Sequence, residues 1–162
     1  MAISLQLVGA PELARRLALS PDALHAAQER AMTQSLLLVE ADARRNVRHD
    51  TRRLMNSITH QQSWRGRSLT GWVGPSLRYG LYVERGTRPH WPPIAPLRGW
   101  ARRHGVNPFA VQRAIARRGT KARPFLVPAY LRHAQQIVRL FAAAGSAVTA
   151  ALAGPRGGGR GT

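Results

Sequence analysis

Glu84 has the sharpest chemical setting in the chain. It is the only carboxylate beyond Asp50, and it lies among Arg78, Arg85 and Arg88. A carboxylate so placed attracts a guanidinium, either in a local surface pair worth under about 1 kcal/mol or from the next copy of the chain in an assembly. It has no second acid downstream to work with, so paired-carboxylate hydrolysis and two-metal phosphoryl transfer lack their ligands. The six histidines, His25, His49, His60, His90, His104 and His133, are scattered, with no His-x-x-x-His pair and no cysteine to join them. His25 and Glu29 lie four apart on a predicted helix, where a solvated pair is the ordinary reading and a shared metal the rarer one. Neither a Gly-x-Ser-x-Gly elbow nor a phosphate-binding Gly-x-x-x-x-Gly-Lys-Ser/Thr loop is present. The expectation is a protein that is not an enzyme, with no catalytic residues, metal or cofactor.

What the chain has in abundance is arginine. Residues 1–50 hold six acids and six arginines, whereas residues 51–162 hold Glu84 against nineteen basic residues, so the whole net charge of +18 lies in the last two-thirds. A GC-rich coding bias explains why only Lys121 is a lysine, but not why acids are missing. Such a charge repels copies of itself and attracts polyanions. The candidate contacts are Arg52, Arg53, Arg65, Arg67, Arg102, Arg103, Arg117, Arg118, Lys121 and Arg123. Their partner is nucleic acid or an acidic protein surface, because guanidinium pairs with phosphate and carboxylate alike. Trp64, Trp72, Trp91 and Trp100 are read as hairpin packing and loop anchors ahead of base-stacking platforms. Sequence-specific readout has no helix-turn-helix, zinc-finger or RNA-recognition signature behind it.

The elements that must carry these residues follow from pattern. At 162 residues and 44% hydrophobic, the chain fits one domain, expected over 1–153, with a disordered Gly/Arg tail over 154–162. Without cysteine there is no disulfide framework. The N-terminal segment does not read as a secretory signal, and the Ala-rich run at 141–154 is too short and too interrupted to span a membrane. A soluble protein made in the cytoplasm is the expectation. Ile3, Leu5 and Leu7 alternate as a first short strand, and a short helix is placed at about 11–18. Ser20-Pro21-Asp22 starts a long helix running to about Val47. Its apolar run at Leu36, Leu37, Leu38 and Val39 is wider than a surface helix needs, and it either meets another subunit or is buried against the protein's own sheet.

From Ser57 to Glu84 the pattern becomes three β-rich runs joined by turns at Arg65-Gly66-Arg67 and Gly74-Pro75-Ser76, the third being 79–84 with Tyr79, Leu81 and Val83 on one face. Helices follow at about 94–104 and from Asn107-Pro108 to Gly119, and a last helix after Pro128 breaks at Gly145. The fold class is therefore α+β. An antiparallel sheet of about four strands is packed by the long helix and a C-terminal helix, with short helices in a Pro-rich insertion.

Three segments in fixed order carry a family resemblance: DTRRLMNSI at 50–58, YGLYVERGT at 79–87 and RRGTKARPFLVPA at 117–129. Over roughly residues 30–130 the chain resembles the tail-component family of long-tailed bacteriophages, the neck, head–tail joining or tail-completion proteins. The matching positions are Thr51, Leu54, Ser57 and Ile58; Tyr79, Tyr82, Val83, Glu84, Gly86 and Thr87; and Arg123, Pro124, Phe125, Leu126, Pro128 and Ala129. The insertion at 88–118 is similar to that of one subgroup. The chain departs from the family at Arg52, where the pattern has a glycine in a tight turn.

The resemblance implies a structural virion protein, assembled in the host cytoplasm, that forms a homo-oligomeric ring at the head–tail junction or completes or terminates the tail, around the DNA channel. Its partners would be further copies of itself, neighbouring neck, connector or tail-tube proteins, and packaged DNA met without regard to sequence, with no membrane. It also favours Glu84 pairing across subunits, among interface candidates Leu36, Leu37, Val39, Tyr79, Tyr82, Glu84, Arg85, Thr87 and Phe125. The alternative is a free, non-specific nucleic-acid-binding protein.

Overall fold

A computed structural model describes residues 3–7, 21–47 and 52–152. The short helix expected at 11–18, the Ser20 cap, Thr51 and the tail at 154–162 lie outside the described residues. Strand β1 (Ile3–Leu7) is followed by the long helix α1 (Pro21–Asn46), a single-turn helix α2 (Arg53–Asn56), and strands β2 (Ile58–Arg65) and β3 (Ser68–Pro75). Then come α3 (Gly80–Arg85), α4 (Ile94–Arg103), α5 (Pro108–Arg118) and the long α6 (Leu126–Leu152). The architecture is α+β.

The sheet has the order β1-β3-β2 and is antiparallel throughout, with β2 and β3 in register from Ile58 opposite Pro75 to Arg65 opposite Ser68. Gly66, at φ 58°, makes the tight turn between them in the left-handed region that glycine enters without the strain an L side chain brings. Leu69 and Val73 of β3 and Ile58 of β2 point inward and are buried under α1. Gly71 lies so close under α1 that a Cβ there would stand 2.6 Å from the Met32 sulfur and 2.9 Å from a Leu36 methyl.

Helix α1 settles the question its broad apolar run leaves open. Leu36 and Val39 are fully buried in the protein's own core, whereas Leu37 points out. As subunit-contact candidates, Leu36 and Val39 are therefore corrected to core residues: with Met32, Ala43 and Val47 they form the stripe that the sheet and α6 cover. Asp22 in the first turn and Arg44 and Arg45 in the last complement the helix dipole. Helix α6 runs back along α1. Ala27 packs with Val148 near one end, Asp42 pairs with Arg132 further along, and Asn46 Nδ2 donates to the Phe125 carbonyl at 3.2 Å at the other. Small residues at 27, 31 and 43 of α1 let the two backbones approach.

Among the described residues the sheet has three strands, not four, because 79–84 is a helix. Alternating tyrosines imitate a strand's period of two, but β3 ends where the Ser76 amide donates to the Ser57 carbonyl at 2.9 Å. Coiled into α3, the same residues put Gly80 and Glu84 on the buried side at i, i+4, with Tyr79 and Tyr82 outward. Gly80 packs directly on Pro75, where a Cβ would collide. Helix α6 begins at Leu126, two residues before Pro128, and runs through Gly145 without a break.

Candidate functional site

Glu84 is 4% exposed and makes no ion pair among the described residues. Its Oε2 accepts from the Phe125 and Leu126 amides at 2.8 and 3.0 Å, and its Oε1 from the Val127 amide at 3.0 Å. The carboxylate thus satisfies three of the four amides that a helix leaves unpaired at its N-terminus, and it sits at the positive end of the α6 dipole. The Arg123 amide donates to the Val83 carbonyl at 2.8 Å, so α3 holds the whole lead-in to α6. This corrects the expected cross-subunit pairing of Glu84: both of its oxygens are already engaged inside the chain. Phe125, at the same junction, is also buried and is corrected from interface candidate to core.

Three other acids are also engaged within the chain. Glu29 Oε1 accepts from Trp64 Nε1 at 2.7 Å, with the His25 ring 4.5 Å from the indole, so the His25 and Glu29 pair frames a tryptophan. Glu40 pairs with Arg44 and His60, and Asp42 with Arg45, Arg132 and, at 3.5 Å, His133. Glu40 and Asp42 are buried. These bonds stitch α1 to β2 and to α6. Among the described residues no group of three metal-ligating side chains forms, and no helix is long and apolar enough to cross a membrane. A cleft of about 630 Å³ opens between the end of α1, α3 and residues 121–125. Its polar lining is Asn46, Lys121 and Arg123, without a carboxylate, hydroxyl or imidazole.

The basic residues are distributed quite differently. Helices α4 and α5 pack chiefly on each other and stand apart from the α1, sheet and α6 body. At their base Thr87 and Thr120 form an isolated antiparallel bridge, with amide to carbonyl distances of 3.0 and 3.2 Å and the two hydroxyls 3.0 Å apart. Gly86 and Gly119 flank that bridge at φ 72° and 69°, and a Cβ on either would run into the backbone opposite. Asn107 caps α5 by accepting from the Phe109 amide at 2.8 Å, and Gln112 Nε2 donates to the Pro92 carbonyl at 2.8 Å. Residues 88–119 thus form a two-helix arm on a glycine-flanked neck.

The ten cationic candidates are all exposed, but they do not share one face. Arg52 and Arg53 open α2, Arg65 and Arg67 flank the β2–β3 turn, Arg102 and Arg103 lie by the arm's tip, and Arg117, Arg118, Lys121 and Arg123 lie at its base. Two further exposed arginines of the arm, Arg98 and Arg113, went unselected by sequence, although each stands four residues before Arg102 or Arg117 on a helix. Of the remaining interface candidates, Leu37, Tyr79, Tyr82 and Arg85 are exposed, and Thr87 is half-buried in the neck bridge. Sequence reasoning also missed an apolar strip on α6, with Val127, Leu131 (65% exposed) and Val138 (68%). The i, i+4 and i, i+7 spacing of these three was the available signal. Arg52, at φ 58°, is the one non-glycine residue in the left-handed region among the described residues.

Trp91 is 70% exposed at the start of the arm, and Trp100 stacks on His104 with centroids 4.3 Å apart. Trp72 is half-buried on the sheet. Comparison of the chain with protein-family models, with curated proteins and with solved structures finds no match.

Proposed function

We propose that this chain is a structural protein of a tailed-phage particle that assembles as a homo-oligomeric ring at the head–tail junction or the end of the tail, around the path of the DNA. The observation that carries the reading is the separation of charge within one fold. Glu29, Glu40, Asp42 and Glu84 are engaged inside a tight α+β body, while a protruding arm and its neck hold nine basic residues between 88 and 123 and no acid. A ring subunit can use such an arm to reach a polyanion that the body does not touch.

Two further observations support the resemblance on which the reading rests. Arg52 adopts the left-handed conformation at the position where the family pattern has a glycine that this chain lacks. Glu84 joins two of the three recurring segments physically, by capping the Pro-Phe-Leu lead-in to α6. In this reading subunit contacts use the exposed Leu37, Tyr79 and Tyr82 and the α6 strip at Val127, Leu131 and Val138. The test is absolute mass by light scattering with particle imaging on nucleic-acid-free protein: a closed ring of uniform size supports the proposal.

The second reading, a free non-specific nucleic-acid-binding protein, draws on the same acid-free arm. It predicts steeply salt-dependent duplex binding by a monomer.

A further inference from the structure

The arm's occupant can be narrowed by asking what could neutralise it. Arg98, Arg102, Arg113, Arg117 and Arg118 are exposed, and none makes an ion pair among the described residues. Among its described residues a second copy offers few acids to neutralise the arm. Of the acids among the described residues, Glu40, Asp42 and Glu84 are buried, Glu29 is engaged with Trp64, and only Asp22 stands exposed at the start of α1. Arm-to-copy contact would therefore set like charges against each other, so the arm is not the surface through which copies associate.

The remaining candidates are an acidic protein and a nucleic acid, and the layout of the charges favours the second. Arg98 and Arg102 on α4, and Arg113 and Arg117 on α5, are each spaced one helical turn apart, about 6 Å along the axis. With Arg103 by the tip and Arg118 and Lys121 at the base, the cations run the length of the arm and do not gather around an apolar centre. Protein–protein interfaces are depleted of charge at their centres, whereas nucleic-acid interfaces are far more positive. A rod with one negative charge per about 1.7 Å of axis suits such a row. Gln112 is the only amide side chain on the two arm helices, and it is turned inward onto the Pro92 carbonyl, so neither helix offers an amide to read base edges.

Resting on the proposed role within a particle, we infer that residues 88–121 form a sequence-independent arm for the phosphate backbone of duplex nucleic acid, separate from the surface that joins copies.

The experiment measures binding of the full chain to two unrelated short DNA duplexes across a salt series. The wild type is compared with a variant carrying Arg98→Gln, Arg102→Gln, Arg113→Gln and Arg117→Gln, and with the corresponding four-lysine variant. Both duplexes are expected to bind equally. The glutamine set should lower the slope of log K against log salt by about 3 to 4, at about 0.9 per phosphate contact, and weaken low-salt binding by about 100-fold or more. The lysine set should restore the slope, because a backbone contact needs charge and not the guanidinium fork. These are surface helix positions, so circular dichroism and thermal unfolding should be unchanged in both variants.

A slope untouched by the glutamine set overturns the inference. So does binding of polyglutamate in place of duplex, lost in both variants, which would assign the arm to an acidic protein. Light scattering on the same samples keeps the two claims apart: a ring whose duplex binding ignores the arm defeats only this inference, and a monomer that binds through the arm defeats only the ring.

Discussion

The body and the arm of this protein solve opposite problems with the same residue types. In the body, four acids are stabilising because each has an assigned partner: Glu84 caps a helix, Asp42 and Glu40 tie α1 to α6 and β2, and Glu29 holds Trp64. In the arm, Arg98, Arg102, Arg113, Arg117 and Arg118 have no ion-pair partner among the described residues, and the helices bury little besides each other. An ionised group in the body adds to the stability of the fold, whereas one in the arm contributes repulsion until another molecule arrives. Substitutions should therefore separate cleanly, with body variants changing unfolding and arm variants changing binding.

The largest effect on stability is expected at Glu84. Glu84→Ala strands three amides at the start of α6 and removes a buried charged acceptor, at a cost of about 3 kcal/mol, read by denaturant unfolding. A variant as stable as the wild type would mean that α6 does not depend on this cap. Next comes the neck. Gly119→Ala meets the Thr87 carbonyl and strains a residue at φ 69°, for about 2 kcal/mol. Its hydrogen-exchange signature should be faster exchange at Thr87 and Thr120, with the amides of α1 and β3 still protected. Loss of protection everywhere would show that the arm and the body unfold as one unit.

Smaller effects sharpen the contrast. Arg52→Gly relieves a left-handed residue and should stabilise by up to about 1 kcal/mol, detectable as a raised denaturation midpoint. If it destabilises instead, the Arg52 side chain has a structural role that its exposure conceals. The four-glutamine arm variant should fall within about 0.5 kcal/mol of wild type in unfolding, despite its large expected change in duplex binding. Leu131→Gln with Val138→Gln should likewise leave unfolding nearly unchanged while lowering the assembled mass.

The difference between body and arm also governs what could be read from the amino-acid order. The α+β class, β1, the start of α4, the Asn107 cap and Gly119 as the end of α5 were all legible, because local periodicity and turn chemistry decide them. The identity of 79–84 was not. Tyr79, Leu81 and Val83 alternate as a strand would, and only contact with Pro75, Leu54 and the lead-in to α6 makes a helix the better solution. The same lies behind the misplacement of Glu84 and of the α6 start: the cap for Phe125 and Leu126 comes from more than forty residues away, beyond any local window. Leu36 and Leu37 show the finer limit, since neighbours in one apolar run point to opposite sides of the helix wall. The arm's charge was plain from composition alone, yet Arg98 and Arg113 gained meaning only once α4 and α5 stood apart from the body.

The central claim is that this body assembles through uncharged surface while its arm stays free for a polyanion. It is tested most directly by the absolute mass of nucleic-acid-free protein in moderate and high salt, with particle imaging of the same samples. The account predicts a closed ring of uniform size that persists as salt is raised, because the contacts at Leu131 and Val138 are apolar. A monomer in both conditions, at every concentration tried, would contradict it.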